Sequence, residues 1–592
     1  MHVVAIIQAR MESTRLPGKV LLSITGKPLL WHIIYRLRKS RTVDQICLAI
    51  PDTKPNDVLA DFGEEQGIEV FRGSEENVLE RYYLAAQKMN ADIVIRVNGD
   101  APLIDPQWLD YLVNVLIKER VDIALSDPET ASVHQGFTPV SFRALEKLAT
   151  EAAYDPVARE HVTSYLEKNP DFVFSKTVIP WPQHRFQGAR LSIDTPSDLN
   201  FMEEVYSRLQ AEAGEVDLAD LVELLKREPE LLQINAHVYQ KGADIKAKKV
   251  LFRCDGDEQI GFGHITRCLA LAEVLRDNYG CGVTFAIASG KPGIDMIRKA
   301  GYHLEIKESL PEASWQEEVI SRLRPDAAVF DYRGPADLNK IDEWRKEGIL
   351  IASIDDPTEK RLHADMNFYP PIPQFKEMNW DGFQGELYIG WQWVILRNQF
   401  AGLHKLWINR KKKRPELLIT MGGSDPHNLT LMILKAVDIL EDQFDTSVLL
   451  GPGFKHHQSI EKFIRNSRRE YQLLGDVRDV GSLFVRADLA AASFGVTAYE
   501  LAAAGVPSVL IGISEDHVSS ASTFEKAGIG FNLGLYSNVT EEKIKEAIFS
   551  LLEDSQLRQV MSQRAGELVD GKGAERIAAL IYNRLCEKVK SN

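Results

Sequence analysis

The chain has 592 residues, and its 70 lysines and arginines against 85 aspartates and glutamates give a formal net charge of −15. At about 150 residues per domain, this length predicts three or four compact units rather than one core. The apolar content of 44% excludes a disordered chain, and the negative charge argues against broad binding to nucleic acid or to anionic membranes. A local basic pocket for a nucleotide is still compatible with that charge.

The five cysteines are odd in number and include no CxxC pair. This pattern is typical of a reducing compartment and supports neither a disulfide framework nor a zinc site. The N-terminal apolar run is too short for a signal peptide, and no apolar stretch approaches the roughly 20 residues of a membrane span. We therefore expect a cytoplasmic protein without a membrane span.

Strand-like and helical patterns alternate along the first part of the chain. The run Val3–Gln8 predicts a strand, and the apolar spacing from Leu29 to Leu37 predicts the buried face of a helix. Further strands are predicted at 45–50, 69–71, 92–97, 122–125, 172–179 and 190–193, before a helix that begins near Pro196. This alternation predicts a largely parallel sheet covered by helices, which forms a first domain at 1–235.

The rest of the chain divides into a linker and two further α/β series. Segment 236–248 lacks periodicity and is rich in polar and basic residues, which predicts the linker. The following series predict one lobe at 249–405 and another at 414–592, whose first strand is Glu416–Thr420. Between them the run NRKKKRP contains five consecutive basic residues, which we interpret as a solvated connection rather than a nuclear-localisation or nucleic-acid signal.

The loop QARMESTRLPGK, residues 8–19, lies between the first predicted strand and the first predicted helix. Ligands of parallel α/β sheets bind beyond the carboxyl ends of the strands, so the loop is well placed to bind one. Arg10, Arg15 and Lys19 put three cations on this loop, and Gly18 allows close backbone approach, which suits a triphosphate. The alternative is a solvated surface loop, which three cations at this position make the weaker interpretation.

Two aspartates of the same domain follow apolar runs. Asp100 lies in RVNGDAPL, and Asp194 lies in LSIDTPSDL. A carboxylate at a strand end beside a phosphate loop is where Mg²⁺ would be held, because Mg²⁺ prefers one or two carboxylates together with phosphate oxygens. Thr195 and Asp198 are equally explained as caps of the next helix, so Asp194 is the better metal candidate.

These motifs resemble those of the cytidylyltransferases that activate acidic sugars as CMP conjugates. The loop QARMESTRLPGK resembles the nucleotide loop of the CMP-KDO and CMP-sialic acid synthetases, and RVNGDAPLI and SIDTPSDL resemble their two aspartate motifs. The run RGSEENVLERYY is most similar to the spore coat polysaccharide cytidylyltransferases. The resemblance implies a Rossmann-like nucleotidyltransferase domain in which Arg10, Arg15 and Lys19 bind the CTP phosphates. It also implies that Asp100 and Asp194 bind Mg²⁺, and that these cations stabilise the charge that develops as pyrophosphate leaves.

His264 lies in the segment QIGFGHITRCL, where Gly261 and Gly263 permit a tight turn into a helix. At a helix N-terminus the dipole favours a neutral imidazole, which suits a general base. An isolated Gly-x-Gly is weak evidence for phosphate binding, and a lone histidine is more often structural than catalytic. The residues by themselves therefore leave the role of His264 open.

The longer pattern RCDGDEQIGFGHITRCLALA resembles the UDP-sugar hydrolase of the pseudaminic acid pathway, which is related to glycosyltransferases with two Rossmann-like lobes. The similarity continues through YIGWQWVILR, LITMGGSDP and AAASFGVTAYELAAAGVP, and it covers roughly residues 248–575. It implies a two-lobed GT-B-like unit in which His264 activates a water molecule and UDP departs. Glu500 would contact the nucleotide ribose. The residues implied in substrate and nucleotide binding are Asp255, Gly263, Gly423, Ser424, Gly495, Thr497 and Glu500.

Two features of the lobe at 414–592 keep alternatives open. Ser424 and Asp425 are explained as well by helix capping as by ligand contact. The hydrolases usually have an Asn-Gln pair after the last core strand, where this chain has Asp516 and His517. An anionic side chain beside a diphosphate is unfavourable unless it is paired or turned away, so the substrate and the hydrolysis itself stay open.

We expect a bifunctional enzyme of nonulosonic acid biosynthesis. The first domain would use CTP, Mg²⁺ and an acidic sugar to form CMP-pseudaminic acid or a related CMP-sugar. The C-terminal unit would hydrolyse UDP-2,4-diacetamido-2,4,6-trideoxy-β-L-altrose without a cofactor. The alternatives are a spore coat polysaccharide glycosyltransferase in the C-terminal unit, or a half that binds nucleotide-sugars without catalysis. No nucleic-acid partner is expected, and the sequence leaves the oligomeric state open.

Overall fold

The computed structural model describes residues 1–590 except 14, 128, 170, 239–246, 258–260, 289, 406–413, 442–443, 452, 476 and 478. The chain forms two compact units, one of Met1–Ala247 with Arg276–Gly282 and one of Lys248–Leu275 with Val283–Asn592. Most of the predicted linker 236–248 and four of the five consecutive basic residues lie outside the described residues. None of the described helices has the length and apolar character needed to cross a membrane.

The first unit contains one large sheet, a two-stranded hairpin and the helices that cover the sheet. Its strands are β1 Val3–Gln8, β2 Ser23–Ile24, β3 Lys27–Pro28, β4 Gln45–Pro51, β5 Glu69–Gly73, β6 Ile93–Asn98, β7 Ile123–Ser126, β8 Phe137–Ser141 and β9 Ser175–Val178. Its helices are α1 Leu29–Leu37, α2 Asp57–Glu65, α3 Val78–Lys88, α4 Pro106–Glu119, α5 Phe142–Glu151, α6 Pro156–His161, α7 Thr163–Lys168, α8 Pro196–Leu209 and α9 Leu218–Arg227.

Strand β1 lies near the middle of this sheet, whose order is β5-β4-β1-β6-β8-β7-β9. It pairs in parallel with β4 and β6. Ala5 and Ile7 belong to one buried core, whereas Val4 and Ile6 belong to another. Because alternate residues of a strand point to opposite faces, both faces of the sheet are covered, which explains why β1 is a continuous apolar run.

The prediction of a strand at 190–193 is wrong. Backbone groups of this segment bond to isolated partners instead of a neighbouring strand: Leu191 N donates to Gln135 Oε1 at 3.3 Å, and Ile193 N donates to Asp100 O at 2.8 Å. Asp194 therefore follows an irregular segment rather than a strand. The sheet also contains β8, which is antiparallel to β6 and β7 and which the alternation of strands and helices did not predict.

The second unit contains two sheets. The strands of its first lobe are β10 Lys249–Cys254, β11 Gly282–Ile287, β12 His303–Ile306, β13 Ala327–Asp331, β14 Leu350–Ile354, β15 Met366–Tyr369 and β16 Glu386–Ile389. Those of its second lobe are β17 Glu416–Thr420, β18 Asp445–Leu449, β19 Gln472–Leu474, β20 Leu489–Ser493, β21 Ser508–Gly512 and β22 Gly530–Leu535.

Helices follow most of these strands. In the first lobe they are α10 Gly263–Tyr279, α11 Lys291–Lys299, α12 Glu312–Leu323 and α13 Leu338–Lys346. In the second lobe and beyond it they are α14 Leu429–Asp438, α15 His457–Asn466, α16 Val480–Arg486, α17 Val496–Ala503, α18 Glu515–Ala527, α19 Glu541–Glu553, α20 Ser555–Leu568 and α21 Gly573–Lys590.

Both lobes have the strand order of a Rossmann-like sheet. The orders are β12-β11-β10-β13-β14-β15-β16 and β19-β18-β17-β20-β21-β22. Strand β13 pairs in parallel with β10 and β14, and β20 pairs in parallel with β17 and β21. Two such lobes in one unit confirm the predicted GT-B-like architecture, just as the sheet of the first unit confirms a Rossmann-like α/β domain.

Each of the three large sheets has a point where two parallel neighbours connect to strands on opposite sides. These points lie between β1 and β6, between β10 and β13, and between β17 and β20. Connections leave the carboxyl ends of such neighbours towards opposite faces, which opens the crevice where α/β sheets bind ligands. The fold thus offers three crevices, and the candidate residues can be located relative to them.

Candidate active sites

In the first unit, Arg15 and Lys19 lie with both predicted metal ligands at the crevice between β1 and β6. Lys19 Nζ lies 2.8 Å from Asp100 Oδ2 and 2.7 Å from Asp194 Oδ1. Arg15 pairs with the other oxygen of Asp194 at 2.7 Å. Residues far apart in the sequence therefore form one ionic cluster, which we call the Lys19 cluster.

Asp194 carries the densest cationic environment of this cluster. Arg190, which the sequence analysis did not single out, contacts Asp194 Oδ2 at 2.5 Å. Burial alone would raise the pKa of Asp194, but the charges of Lys19, Arg15 and Arg190 hold it well below its ordinary value. Burial alone would lower the pKa of Lys19, whereas its two carboxylate partners raise it. The carboxylate and the ammonium are therefore both charged at neutral pH.

The position of Asp100 depends on the glycine that precedes it. Gly99 N donates to Gln8 O, at the end of β1, at 3.0 Å. A Cβ atom at position 99 would lie 2.4 Å from that oxygen, so only glycine allows this approach. Asp100 O in turn accepts from Ile193 N at 2.8 Å, which brings the segment of Asp194 alongside.

Arg10 and the capping residues have other environments. Arg10 is exposed at the start of the loop, whereas the side chains of Arg15 and Lys19 are 14% and 12% exposed. Thr195 and Asp198 form a capping box at the start of α8, as the capping alternative predicted. Asp198 also pairs with Arg190, a side chain that it shares with Asp194.

The carboxylates of Asp100 and Asp194 form a donor set that fits Mg²⁺. An oxygen from each approaches the same Lys19 ammonium within 2.8 Å, so the two side chains converge on one point. Carboxylate oxygens are the protein ligands that Mg²⁺ prefers beside phosphates. The assignment of Mg²⁺ to these residues stays a prediction.

In the second unit, His264 is the second residue of α10, at the crevice between β10 and β13. Its Nδ1 lies 2.6 Å from Oδ1 of Asp331, the last residue of β13. Arg267, one turn along the helix, donates to both oxygens of Asp331 at 2.6 Å and to Asp355 Oδ2 at 3.0 Å. Asp331 is only 1% exposed, so these cationic partners compensate for its burial.

The protonation of Asp331 fixes the roles of the two imidazole nitrogens. Burial alone would raise the pKa of Asp331, but the charges of Arg267 and His264 hold it well below its ordinary value. An ionised carboxylate accepts a hydrogen bond, so we infer that Nδ1 of His264 donates a proton to Asp331 and that Nε2 is the nitrogen left to exchange a proton with water. This is the arrangement of a general base oriented by a carboxylate.

Asp255, predicted to orient the substrate, has partners within its own lobe. Its Oδ1 lies 2.8 Å from Arg253 and accepts from Ala288 N at 2.8 Å. It nevertheless borders the same cavity as His264. That cavity measures about 380 Å³ and is lined by Asp255, His264, Tyr332, Arg333, Gly334 and His517.

Two turns of the second lobe meet at the crevice between β17 and β20. Gly423 and Ser424 follow β17, and Gly495 and Thr497 begin α17 after β20. Because these strands are parallel neighbours, both turns lie at the same edge of the sheet. All four residues line a cavity of about 1190 Å³, and it is also lined by Gly263 and His264 of the first lobe.

A third loop, absent from the sequence predictions, packs directly on the first of these turns. Gly422 has a φ of +73°, which favours glycine. A Cβ atom at Gly451 would lie 2.2 Å from Gly422 O and 2.5 Å from Gly423 O. Gly453 N also donates to Gly423 O at 2.8 Å. The loop after β18 therefore holds the turn that was predicted to bind a diphosphate.

Glu500 borders the larger cavity from α17. Its Oε1 accepts from Arg397 Nε at 3.0 Å and from Arg397 Nη2 at 2.7 Å. The residue is 4% exposed, and burial raises the pKa of Glu500 although Arg397 opposes that effect. Arg397 takes only one of the two carboxylate oxygens.

The residues for which the sequence left two interpretations have distinct environments. Asp425 accepts from Leu429 N at 2.8 Å and from Thr430 N at 2.9 Å, which is the capping role. Asp516 is exposed in the first turn of α18, where a helix N-terminus stabilises negative charge. His517 borders both cavities, and burial lowers its pKa. The two positions that depart from the Asn-Gln pair thus differ in charge and exposure.

The larger part of the chain is similar to one curated protein and to several solved structures. The Bacillus subtilis spore coat polysaccharide biosynthesis protein SpsG is 24% identical over 332 residues, which cover 56% of this chain and 96% of SpsG. Among solved structures, the MurG protein of Acinetobacter baumannii aligns with a TM-score of 0.44 and 16% identity, over 57% of this chain and 99% of that chain.

The first unit has more closely similar relatives. The family model described as Cytidylyltransferase matches residues 4–242. The Bacillus subtilis spore coat polysaccharide biosynthesis protein SpsF is 32% identical over 229 residues, which cover 38% of this chain and 94% of SpsF. The matched residues include every member of the Lys19 cluster. The chain therefore belongs to the cytidylyltransferase family.

Proposed function

We propose that the first unit forms a CMP-sugar from CTP and an acidic nonulosonate sugar, pseudaminic acid or a close relative. Membership of the cytidylyltransferase family supports the transfer of a cytidylyl group. A sugar oxygen would attack the α-phosphorus of CTP, the new O–P bond would form, and the bond to pyrophosphate would break. The Lys19 cluster carries this proposal because it places buried cations beside two carboxylates.

In this reaction Arg15 and Lys19 bind and orient the phosphates. Both side chains are now paired with carboxylates, so the phosphates of CTP compete with Asp100 and Asp194 for them. Asp100 and Asp194 would hold Mg²⁺, which supplies charge neutralisation at the phosphates. Arg10, exposed at the mouth of the loop, would contact the outer phosphates.

For the second unit we propose hydrolysis of a UDP-sugar, with UDP-2,4-diacetamido-2,4,6-trideoxy-β-L-altrose as the substrate. His264 would accept a proton from water through Nε2, the water oxygen would bond to the anomeric carbon, and the bond to UDP would break. The observation that carries this proposal is the contact of 2.6 Å between His264 Nδ1 and Asp331 Oδ1. Asp331 is a positioning residue that fixes the imidazole for this role.

The second lobe would bind the UDP portion. The turns at Gly423 and Gly495 line the cavity, and their backbone N–H groups would bind the diphosphate, which a helix N-terminus favours. Glu500 would contact the ribose with the oxygen that Arg397 does not take. The leaving group would thus be held by one lobe while His264 of the other lobe activates water.

Glycosyl transfer is the second candidate for this unit, because its two Rossmann-like lobes have the GT-B-like arrangement. A sugar hydroxyl would then replace water as the nucleophile beside His264. Product analysis separates the two: a free sugar supports hydrolysis, and a disaccharide formed only with an added acceptor supports transfer. Tight UDP-sugar binding without turnover in calorimetry would instead support a non-catalytic binding module.

The two activities are tested on the full-length chain with separate assays. CTP, Mg²⁺ and pseudaminic acid should release pyrophosphate, and the UDP-sugar should release UDP. Asp100→Ala should abolish only the first activity, and His264→Ala should abolish only the second. If either substitution removes both activities in a folded protein, the model of two independent sites is wrong.

A further inference from the structure

Three side chains of the first unit meet at a place that the Lys19 cluster does not use. His134 Nε2 lies 3.0 Å from Asp105 Oδ2 and 2.7 Å from His184 Nδ1, and the latter lies 3.5 Å from Asp105 Oδ2. All three side chains are at most 10% exposed. We call this group the Asp105 triad.

The contacts of the Asp105 triad conflict as hydrogen bonds. A ring nitrogen of imidazole has one in-plane position, which holds either a hydrogen or a lone pair. His134 Nε2 can therefore form one of its two short contacts as a hydrogen bond, but not both. In the other contact, the two atoms then lie close together without a hydrogen bond, which is costly for buried groups. A cation between the three atoms removes the conflict, because each of them can direct a lone pair at it.

The distances within the triad suit a transition-metal ion. Tetrahedral zinc with bonds of about 2.0–2.2 Å to imidazole nitrogen and carboxylate oxygen separates neighbouring ligand atoms by roughly 3.3 Å. The three separations here, 2.7, 3.0 and 3.5 Å, surround that value. Two imidazoles and one carboxylate are also a donor set that zinc uses when its fourth position is left to water.

Neighbouring groups hold the triad in place. Asp105 uses Oδ1 to cap α4 by accepting from Gln107 N at 2.9 Å, which leaves Oδ2 directed at the histidines. The ring of His134 stacks on Trp108 with centroids 4.5 Å apart and planes 6° apart. The ligand atoms are therefore preorganised before any ion binds, as a metal site requires.

We propose that Asp105, His134 and His184 form a zinc site that is distinct from the predicted Mg²⁺ site. The ion would join three segments that also frame the Lys19 cluster. Asp105 lies five residues after Asp100 in the sequence. Gln135, next to His134, accepts from Leu191 N at 3.3 Å, in the segment that leads to Asp194. Zinc bound here stabilises the walls of the cytidylyltransferase site without contacting its substrates.

Metal titration of the full-length protein tests this site directly. The protein is stripped with EDTA, desalted and titrated with Co²⁺ alone, whose visible bands report four-coordinate nitrogen and oxygen ligands. We expect saturation at one Co²⁺ per chain, displacement by one equivalent of Zn²⁺, and a rise in the melting temperature when Zn²⁺ is added. Mg²⁺ in large excess should leave the bands unchanged, because imidazole ligands do not suit it.

Variants identify the ligands. His134→Gln and His184→Gln should each weaken Co²⁺ binding by more than about 100-fold, beyond the 10–100-fold cost of losing an outer-shell partner. Asp100→Asn should keep the bands, which separates this site from the Lys19 cluster. His363→Gln is the matched control, because His363 pairs with Asp342 at 2.9 Å on the second unit without another histidine in that pair.

Two results would overturn the proposal. One is a wild-type protein that shows no four-coordinate Co²⁺ bands at all, which decides the question even if the variants fail to fold. The other is a set of bands that folded His134→Gln and His184→Gln retain, as checked by circular dichroism. Neither result depends on pyrophosphate release, so the zinc site and the cytidylyltransferase reaction can fail independently.

Discussion

Asp331 and His264 form a buried pair in which Asp331 Oδ1 lies 2.6 Å from His264 Nδ1. The carboxylate closes strand β13, and the imidazole opens helix α10 beside it. Arg267 neutralises the same carboxylate, so the aspartate stays ionised although it is buried. An ionised partner at Nδ1 leaves Nε2 as the basic nitrogen of the pair.

Asp331→Asn should remove the preference for Nε2 as the basic nitrogen, while the side chain keeps nearly the same shape. The asparagine amide can donate to Nδ1, which shifts the ring proton to Nε2 and removes the base. We expect kcat for UDP release to fall by about 10³–10⁴-fold with little change in KM, the size seen when an orienting aspartate is lost from a catalytic triad. Pyrophosphate release by the first unit should be unchanged.

Asp342→Asn is the matched control for that variant. Asp342 contacts His363 at 2.9 Å in a partly exposed pair of the same unit. Its substitution should leave both activities within about twofold, since exposed pairs of this kind contribute little. A folded Asp331→Asn protein with UDP release within about tenfold of wild type would rule out the orienting role.

The stability contributed by Asp331 should depend on pH in a defined direction. Burial raises the pKa of this carboxyl, but Arg267 and His264 bring it well below the ordinary value of 3.8. A group with a depressed folded pKa contributes stability above its unfolded pKa and loses it as the pH falls through the folded pKa. Near pH 7, Asp331→Asn should therefore cost on the order of 3 kcal/mol, because it leaves Arg267 without one buried partner.

Urea unfolding of the wild type and of Asp331→Asn at several pH values checks the direction of this pH dependence. The difference between wild type and Asp331→Asn should be present at about pH 5 and should shrink as the pH falls below about 4. Asp342→Asn should show no comparable difference at any of these values. A difference in stability that widens as the pH falls from about 4 to about 3 would mean that the pKa of Asp331 is not depressed.

Strand ends could be predicted from the sequence, but the residues that meet there could not. Apolar runs followed by polar residues located Asp100 and the turns near Gly423 and Gly495, because alternating strands and helices imply a parallel sheet. Asp331 ends the apolar run AAVF in the same way as Asp100 ends another, so the same signal was available. Its pairing with His264 depends on β10 and β13 being neighbours, which no local pattern encodes.

The wrong strand at 190–193 has the same physical origin. The segment alternates apolar and polar side chains, which is the local signature of a strand. Its backbone groups are instead bonded by Gln135 and Asp100, residues more than 50 positions away. Arg190 was missed for a related reason, since its importance comes from the two aspartates that it contacts.

The substitutions Asp100→Asn and Lys19→Met should separate pyrophosphate release by the first unit from UDP release by the second. Both side chains belong to the Lys19 cluster, and each loses its charge in these variants. We expect pyrophosphate release to fall by at least about 10²–10³-fold, the loss typical of removing one preorganised electrostatic contact. UDP release should be unaffected.

Lys39→Met controls for the loss of a lysine in the same unit. Lys39 pairs with Glu215 at 2.6 Å, and both side chains are about two-fifths exposed. Pyrophosphate release should be unchanged in this variant. Equal losses in Lys39→Met and Lys19→Met would mean that lysine removal perturbs the fold rather than the site.

Gly451→Ala should weaken UDP-sugar binding through the backbone. The added Cβ would lie 2.2 Å from Gly422 O, so the turn at Gly422 and Gly423 must move. We expect KM for the UDP-sugar to rise by about tenfold or more, since small displacements of positioning groups cost large factors. Gly290→Ala is the matched control, because the nearest atom to its added Cβ, Pro292 Cδ, lies at an ordinary contact distance of 3.9 Å. Steady-state kinetics and UDP calorimetry check both variants, and equal KM values for the two would show that this turn does not hold the diphosphate.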